Sequence, residues 1–389
     1  MEHDILSMAK ALESYVIERR RYFHMYPELR YEEYRTSEVV ASELRSLGYD
    51  VRRAAGTGVV GILRCGDGPT VALRADMDAL PIQEENDVPY KSRVPGKMHA
   101  CGHDAHTAML LGAARILASI KSNLRGTIKL VFQPAEEGGL GAKKIVEEGH
   151  IDDVEAIFGI HVWADLPTGY VGIKEGPILA AADIFTVRVK GRGGHGAAPH
   201  HAIDPIVAAA DMINAYQKIV SREVSHLNPV VISVTQVTAG TAFNVIPQEA
   251  VMKGTIRTLD ERIRDFVLRR MKEITETYAK AMRCTGEFTV GPEHVPATVN
   301  EPELAKFARD VIETAGVAEP ADVKPMMVSE DFSFYTTKAK GLFLLLGVRN
   351  EEKGIIYPHH HPRFDIDESA LHIGTAIYAL LAYNYMLNH

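Results

Sequence analysis

The segment HACGHDAHTAMLL, residues 99–111, lies between TVALRA (70–75) and TIKLVFQ (127–133), two short apolar runs typical of buried β-strands. Its second half begins an apolar stretch typical of a helix. A strand, a helix and a strand in this order predict an α/β fold with a mostly parallel sheet. Its first half holds three histidines, a cysteine and an aspartate within eight residues. Because chemistry in such folds gathers at the carboxyl ends of the strands, we expect a ligand-binding site here.

The alternation of strands and helices continues on both sides of this segment. Two predicted amphipathic helices precede it. The first lies at the N-terminus, and the second lies in TSEVVASELRSLGY (36–49) and stops at Gly48. Further along the chain come the predicted strands AIFGIHV (156–162) and GLFLLLGV (341–348) and the predicted helix ALHIGTAIYALLAYNYML (370–387).

Between these parts, the pattern changes from about residue 180. Alternating strands and two amphipathic helices follow one another as β-α-β-β-α-β, the order of a ferredoxin-like module, and Asp260 is the expected N-cap of the second helix. We therefore predict a discontinuous larger domain, residues 1–179 and 293–389, with a smaller α+β domain, residues 180–292, inserted into it.

Composition and charge exclude several classes of protein. The chain has 389 residues, 46% of them hydrophobic, and a formal net charge of −8, which argues against a nucleic-acid-binding surface. No apolar run approaches the roughly 20 residues that span a bilayer, and no signal peptide is evident. The three cysteines are scattered and odd in number, so a disulfide framework is not expected. These features predict a cytoplasmic protein.

Four segments concentrate residues that bind metal ions, each at a predicted strand end or on a loop that enters a helix. They contain Cys101 and His103; Glu136 and Glu137; His161; and the run His359–His361. Thiolate, imidazole and carboxylate donors together suit zinc, manganese, cobalt or nickel rather than calcium or magnesium. The donors exceed what one catalytic zinc takes, and they fit two ions roughly 3.5–4 Å apart. One of the two glutamates can then bind metal while the other serves as a general base.

Several neighbouring residues have more than one interpretation. Asp104 is expected to cap the helix that starts at Ala105, and His99 and His106 lie either behind the ligands or on the surface. Asp76 either orients a ligand histidine or simply ends its strand.

Seven motifs, in order, resemble the amidohydrolase branch of the aminoacylase/carboxypeptidase metallopeptidases, which includes hippurate hydrolases, N-acyl-amino-acid amidohydrolases and archaeal thermophilic carboxypeptidases. The motifs are LRADMDALP, MHACGHDAHTAMLLGAA, VFQPAEEGG, GIHV, GRGGHGAAPH, DPI and SEDFSFY, and the resemblance extends from about Arg19 to about Leu381. It implies a zinc-peptidase-like catalytic domain and a ferredoxin-like domain that mediates dimerisation and can act as a lid.

The resemblance also implies roles for individual residues. The implied metal ligands are Cys101, His103, Glu137, His161 and His360, with His359 and His361 as alternatives if the motif register slips. Glu136 is implied to be the general base, His195 to stabilise the oxyanion, and Asn244 and Arg257 to hold the substrate carboxylate. Which group bridges the two ions is left open, because this branch has Cys101 or His103 near the position of the usual aspartate.

The expected function is metal-dependent hydrolysis of N-acyl amino acids or of the C-terminal peptide bond of short peptides. We expect two divalent transition-metal ions per subunit, with zinc as the first choice, and a homodimer or homotetramer. Two alternatives are a thiol hydrolase that uses Cys101 as the nucleophile and a non-catalytic binding protein on the same fold.

Overall fold

The computed structural model describes residues 1–388, which form two compact units. Unit 1 comprises Met1–Gly176, Val299–Lys324 and the described residues from Asp331 onward, and unit 2 comprises Pro177–Thr298 and Pro325–Glu330. Unit 2 is thus an insertion in the chain of unit 1, and the α/β fold with an inserted α+β domain is confirmed.

The strands are β1 (Asp50–Ala54), β2 (Gly58–Arg64), β3 (Thr70–Asp76), β4 (Thr127–Gln133), β5 (Ala156–Pro167), β6 (Tyr170–Ile173), β7 (Gly176–Leu179), β8 (Ala181–Lys190), β9 (Gly194–His195), β10 (Val230–Ala239), β11 (Val245–Ile246), β12 (Glu249–Thr258), β13 (Thr285–Val290), β14 (Thr298–Asn300), β15 (Glu319–Asp322) and β16 (Lys340–Arg349). The helices are α1 (Glu2–Ala11), α2 (Glu13–Met25), α3 (Tyr34–Ser46), α4 (His103–Ser119), α5 (Glu136–Gly139, a single irregular turn), α6 (Gly141–Glu147), α7 (Pro205–Lys218), α8 (Glu261–Ala281), α9 (Pro302–Ala315) and α10 (Leu371–Asn388).

Unit 1 is built on an eight-stranded sheet in the order β1-β2-β4-β3-β5-β16-β6-β15. Its four central strands, β4, β3, β5 and β16, are parallel to one another, and β2 and β6 flank them in the antiparallel direction. The central strands are almost entirely buried, as expected for parallel strands covered on both faces.

Two apolar helices, α4 and α10, cover the sheet and pack against each other. Gly112 on α4 allows the close approach, since a Cβ there would lie 2.8 Å from Thr375 Cγ2 and from Val16 Cγ2. Among the described residues one helical segment, Glu368–Asn388, is long and apolar enough to cross a membrane, but 78% of its most apolar 18-residue stretch is buried inside the fold. Its composition is that of a core helix.

The register of the central strands brings their ends together. Asp76 at the end of β3 pairs with Gln133 at the end of β4. The last pair between β3 and β5 is Arg74 with Gly159, so Asp76 is level with His161 in the parallel register. The end of β3 and the middle of β5 therefore present their side chains at one edge of the sheet.

Unit 2 contains a four-stranded antiparallel sheet in the order β10-β12-β8-β13, covered by α7 and α8. This is the predicted β-α-β-β-α-β arrangement. The N-cap prediction is confirmed, because the Asp260 carboxylate accepts hydrogen bonds from the N–H groups of Arg262 and Ile263. Asp204 caps α7 in the same way.

Candidate metal and catalytic site

The turn from Cys101 to His103 depends on the glycine between them. Gly102 has φ 90°, and a Cβ on it would lie 2.3 Å from Val162 Cγ2, so only glycine fits. Helix α4 begins directly after it, at His103. The turn therefore fixes both predicted ligands against β5.

Asp104 does not cap α4 as predicted, because the helix starts two residues earlier than expected and Asp104 lies within its first turn. Its carboxylate instead accepts a hydrogen bond from Arg20 Nε at 2.9 Å and lies 2.8 Å from His24 Nδ1. All three side chains are fully buried. Asp104 thus anchors the start of α4 to α2.

His161 on β5 faces Cys101, with its Nε2 atom 3.5 Å from the sulfur. Its other ring nitrogen, Nδ1, donates to the carbonyl of Val162 at 2.7 Å. That bond places the proton on Nδ1 and leaves the Nε2 lone pair directed toward the cysteine, as in most metal-binding histidines. Burial lowers the pKa of His161 well below its ordinary value, and the neighbouring His106 and His359 add to the effect.

His103 is completely buried, and neither of its ring nitrogens has a hydrogen bond among the described residues. Its Nδ1 is 3.3 Å from Asp78 Oδ1 and its Nε2 is 3.7 Å from Asp76 Oδ2. Burial lowers the pKa of this imidazole, but Asp76, Asp78 and Glu137 outweigh it and raise the pKa to about 10. The surroundings of His103 thus favour a positive charge.

Glu136 and Glu137 lie in an irregular turn after β4, which we call the acidic turn (residues 134–141). Ala135 has φ 56°. Three successive N–H groups are held by buried carboxylates: that of Ala135 by Glu33 at 2.9 Å, and those of Glu136 and Glu137 by the two oxygens of Asp78 at 3.0 and 2.9 Å. Two carboxylates therefore hold the backbone of both predicted acids in a fixed conformation.

The run of three histidines places each ring differently. His360 has a left-handed φ of 65°, its N–H donates to the carbonyl of Ala100 at 2.8 Å, and its Nε2 lies 3.2 Å from Glu137 Oε1. His359 points elsewhere and donates from Nε2 to the Val162 carbonyl at 2.9 Å. His361 stacks on Tyr357. Of the three histidines, His360 is the one whose ring contacts Glu137.

Two groups of possible metal ligands lie wholly within unit 1 and share one residue, His103. Cys101, His103 and Glu137 offer atoms within 4.8 Å of one another, and so do Asp76, His103, His106 and His161. Both ring nitrogens of His103 and Oε1 of Glu137 are buried and have charged groups nearby, but none of these three atoms makes a hydrogen bond among the described residues. Soft sulfur, imidazole and carboxylate in one place fit divalent transition metals.

Glu136 lies near the buried carboxylate of Asp331. Its carboxylate has an oxygen within 4.8 Å of one from Asp331. Asp331 is itself held by Gln133 Nε2 at 2.7 Å and by the N–H of Ala142 at 3.0 Å, on the far side of the acidic turn. The two neighbouring glutamates thus point to different surroundings, as required if they have different tasks.

The remaining predicted residues lie in unit 2. His195 on β9 is exposed and pairs with Val245 on β11, and the N–H of Gly196 donates to the carbonyl of Asn244 at 2.8 Å. This backbone pairing makes His195 and Asn244 neighbours. Arg257 on β12 is half-buried and donates to the carbonyl of Ile256 at 3.2 Å.

Sequence reasoning missed Glu33, which is fully buried and bonds to the acidic turn from more than 100 residues away. Nothing in its local sequence distinguishes it from the exposed Glu32 beside it. His99 and His106 are both buried, so the surface interpretation of these residues is wrong.

Comparisons with known proteins identify the family of the chain. Residues 72–384 match the family described as Peptidase family M20/M25/M40. The chain is 44% identical to thermostable carboxypeptidase 1 of Saccharolobus solfataricus over 97% of this chain and 96% of that protein. It is 43% identical to the IAA-amino acid hydrolase ILR1-like 4 of Arabidopsis thaliana, over 95% and 85% of the two chains.

A solved structure resembles the whole chain. It is the YXEP protein of Bacillus subtilis, described as a dinuclear metal binding peptidase, with 35% identity, a TM-score of 0.88 and coverage of 98% of this chain and 99% of that one. The chain belongs to peptidase family M20/M25/M40 and is a metal-dependent hydrolase of amide bonds.

Proposed function

We propose that the chain releases a free amino acid, either from an N-acyl amino acid or from the C-terminus of a short peptide, with two divalent metal ions bound in unit 1. The observation that carries this proposal is the position of His103, which belongs to both groups of donor atoms and has no hydrogen bond on either ring nitrogen among the residues described. The names of the relatives, a carboxypeptidase and an amino-acid-conjugate hydrolase, support the substrate class.

The proposed metal ligands are Cys101, His103, Glu137, His161 and His360. Support comes from the contacts between Cys101 and His161 and between His360 and Glu137. The thiolate favours zinc, with manganese, cobalt and nickel as alternatives. When bound, such ions lower the pKa of water and polarise the scissile carbonyl.

Glu136 is the proposed general base. It takes a proton from the attacking water and delivers it to the nitrogen of the leaving amine, so that one carboxylate serves both steps. Its backbone N–H is fixed by Asp78, which also contacts the ligand His103. A base held by the same carboxylate as a ligand keeps a constant distance from the reacting atoms.

Unit 2 supplies the proposed contacts to the rest of the substrate. His195 stabilises the oxyanion of the tetrahedral intermediate. Arg257 and Asn244 bind the free carboxylate, for which the planar guanidinium suits bidentate pairing. We further propose a cytoplasmic homodimer or homotetramer in which unit 2 mediates association and acts as a lid.

The thiol-hydrolase alternative is disfavoured by the surroundings of Cys101. Burial raises the pKa of its thiol well above the ordinary value, and Glu137, Glu136 and Asp76 raise it further. An activated cysteine nucleophile needs the opposite shift, toward a stable thiolate at neutral pH.

The decisive experiment compares Glu136→Gln with Glu137→Gln in zinc-supplemented protein. We expect Glu136→Gln to keep two ions per chain by elemental analysis and to lose about 10²–10⁴ in kcat on N-acetyl and N-benzoyl amino acids. Glu137→Gln should lose metal as well as activity. The same substrates with their free α-carboxylate converted to an amide test the proposed carboxylate contacts. We expect the wild-type enzyme to show a higher KM for these amides than for the acids.

Near-normal turnover by Glu136→Gln would remove it from the role of base. Full activity after exhaustive chelation would contradict the metal-dependent mechanism and support the thiol alternative instead.

A further inference from the structure

We propose that His106, the third histidine of the segment 99–111, is a positioning residue that holds the metal ligand His161 in place through the backbone of Val162. This inference rests on the proposed function, because it takes His161 to be a ligand. His106 lies one helical turn after His103 on α4 and is fully buried.

The two ring nitrogens of His106 are both engaged. Nδ1 lies 2.5 Å from Asp76 Oδ1, and Nε2 accepts the N–H of Val162 at 2.8 Å. A backbone N–H can only donate, so Nε2 carries the lone pair and the proton is on Nδ1, shared with Asp76. His106 is therefore neutral and has no lone pair left for a metal ion, although it lies among the donor atoms.

The backbone N–H of Val162 bonds to a side chain because strand β3 ends before it could pair with this residue. Pairing between β3 and β5 stops at Gly159, whereas β5 continues to Pro167. Beyond Gly159 the backbone of β5 pairs with no strand on that side among the described residues, and buried backbone groups without a hydrogen bond are costly. His106 supplies the acceptor that a longer β3 would have provided.

The carbonyl of the same residue completes the arrangement. Val162 O accepts from His161 Nδ1 at 2.7 Å and from His359 Nε2 at 2.9 Å. Val162 is thus held through its N–H by His106, and through its C=O it orients the ring of His161 toward Cys101. It also fixes His359, the residue before His360. One residue on α4 therefore influences ligands on β5 and on the histidine run.

Ring packing adds to these hydrogen bonds. The rings of His106 and His161 are 4.4 Å apart between centroids, at 65°. The hydroxyl of Thr107, the next residue, donates to the Asp76 carbonyl at 2.8 Å, which fixes α4 to the end of β3. The contact between His106 and Asp76 thus joins α4 to the end of β3, which the Thr107 hydrogen bond already holds together.

The test uses three variants of the full-length protein. His106→Gln keeps one donor for Asp76 and one acceptor for Val162. His106→Leu removes both, and His106→Asn keeps a donor for Asp76 but is too short to reach Val162. Zinc and cobalt are titrated against a chelator of known affinity, metal content is measured, and the visible spectrum of the cobalt protein reports ligand geometry.

We expect all folded variants to bind two ions at saturation. His106→Gln should bind within a few-fold of the wild type, whereas His106→Asn and His106→Leu should bind about 10- to 100-fold more weakly, as for other residues that orient ligands. Their cobalt spectra should shift, because the His161 ring is released. If His106→Leu does not fold, the comparison of His106→Asn with His106→Gln still shows whether the hydrogen bond to Val162 affects metal affinity.

Two results would overturn the inference. If His106→Gln binds one ion fewer than the wild type, His106 is itself a ligand. If His106→Asn has the metal affinity and the cobalt spectrum of the wild type, His106 has no positioning role. A wild type that binds no ion would instead contradict the proposed function, and His161→Ala, which should lose metal, serves as the ligand control.

Discussion

Three consecutive histidines, His359, His360 and His361, have three different environments, and the difference lies in what each nitrogen already bonds. His359 donates to the carbonyl of Val162, and His361 accepts the N–H of Arg363. Only the ring of His360 contacts Glu137. The sequence alone could not separate these neighbours, because identical side chains have identical ligand chemistry. The choice of His360 came from family resemblance.

A comparison of Glu136 with Glu33 shows which site residues can be predicted from the sequence and which cannot. Glu136 follows a predicted strand in a recognisable motif, so its place at the sheet edge could be predicted. Glu33 accepts hydrogen bonds from the Thr57 hydroxyl and, across more than 100 residues, from the N–H of Ala135 in the acidic turn. Such a contact exists only in the folded protein.

Glu33 gives a prediction about pH. Burial raises the pKa of this carboxyl to about 7, with the Thr57 hydroxyl opposing the shift and Asp78 adding to it. Between its ordinary value of 4.5 and about 7, the folded protein keeps a proton that the unfolded chain has lost. Glu33 therefore makes the folded state less stable as pH rises through this window, by at most about 3 kcal/mol.

Glutamine does not titrate, so we expect Glu33→Gln to lack this loss of stability. The free energy of unfolding of the variant minus that of the wild type should therefore be larger at pH 8 than at pH 5. Denaturant unfolding of the metal-free proteins measures it, since metal binding is itself pH-dependent. Glu32→Gln, a change in the exposed neighbouring glutamate, is the control. An equal difference between Glu33→Gln and wild type at both pH values would contradict the prediction.

At the scale of the element, long apolar strands and helices could be predicted, and short edge strands could not. β3, β4, β5 and β16 are buried on both faces and appear in the sequence as continuous apolar runs. β15 has the sequence EPAD and pairs only with β6 at the edge of the sheet, so neither its composition nor its burial identifies it. β5 also extends to Pro167, beyond the predicted end of its apolar run.

The predicted start of α4, at Ala105, is wrong for a physical reason. Asp104 has the side chain of a typical N-cap, but Gly102 takes that position because its left-handed φ of 90° and its missing Cβ let the chain turn against Val162. Asp104 is then free to pair with Arg20. Steric constraints from β5, which are not visible in the local sequence, decide the boundary.

Gly102→Ala should therefore damage this element. The left-handed backbone and the clash with Val162 Cγ2 together cost about 2–4 kcal/mol, and metal affinity should fall because Cys101 and His103 move apart. Denaturant unfolding and metal titration measure both effects.

Two further variants separate the causes. Gly48→Ala has a similar φ of 85° with nothing within 4 Å, so it should show the backbone cost alone. Adding Val162→Ala to Gly102→Ala should recover part of the metal affinity. Equal stability losses in Gly102→Ala and Gly48→Ala would mean that the contact with Val162 is unimportant.

At the scale of the whole molecule, the sequence predicted a fold with an insertion because the pattern of unit 2 differs from the pattern on either side of it. Within unit 1 the predicted ligands come from segments up to 259 residues apart, Cys101 to His360. Their convergence could be inferred from the parallel sheet, but the distances and the partners of each nitrogen could not.

Metal binding should stabilise unit 1, because its ligands come from several segments of the chain. At a free metal concentration 100-fold above Kd, one ion contributes about 2.7 kcal/mol, which corresponds to a rise of about 5 °C in Tm. Calorimetry before and after chelation, and after return of zinc, measures this. His161→Ala should show a smaller shift, and an unchanged Tm in the wild type would contradict metal binding by the folded site.

Strand β16 lies in the middle of the large sheet, between β5 and β6, yet it follows the whole of unit 2 in the chain. When residue 339 has just been added, all residues of unit 2 have been synthesised, but the large sheet still lacks the strand that lies between β5 and β6. His360, which follows β16, has not yet been made. The proposed set of metal ligands is therefore complete only after β16 has closed the sheet, and we expect newly made chains not to cleave amides during translation.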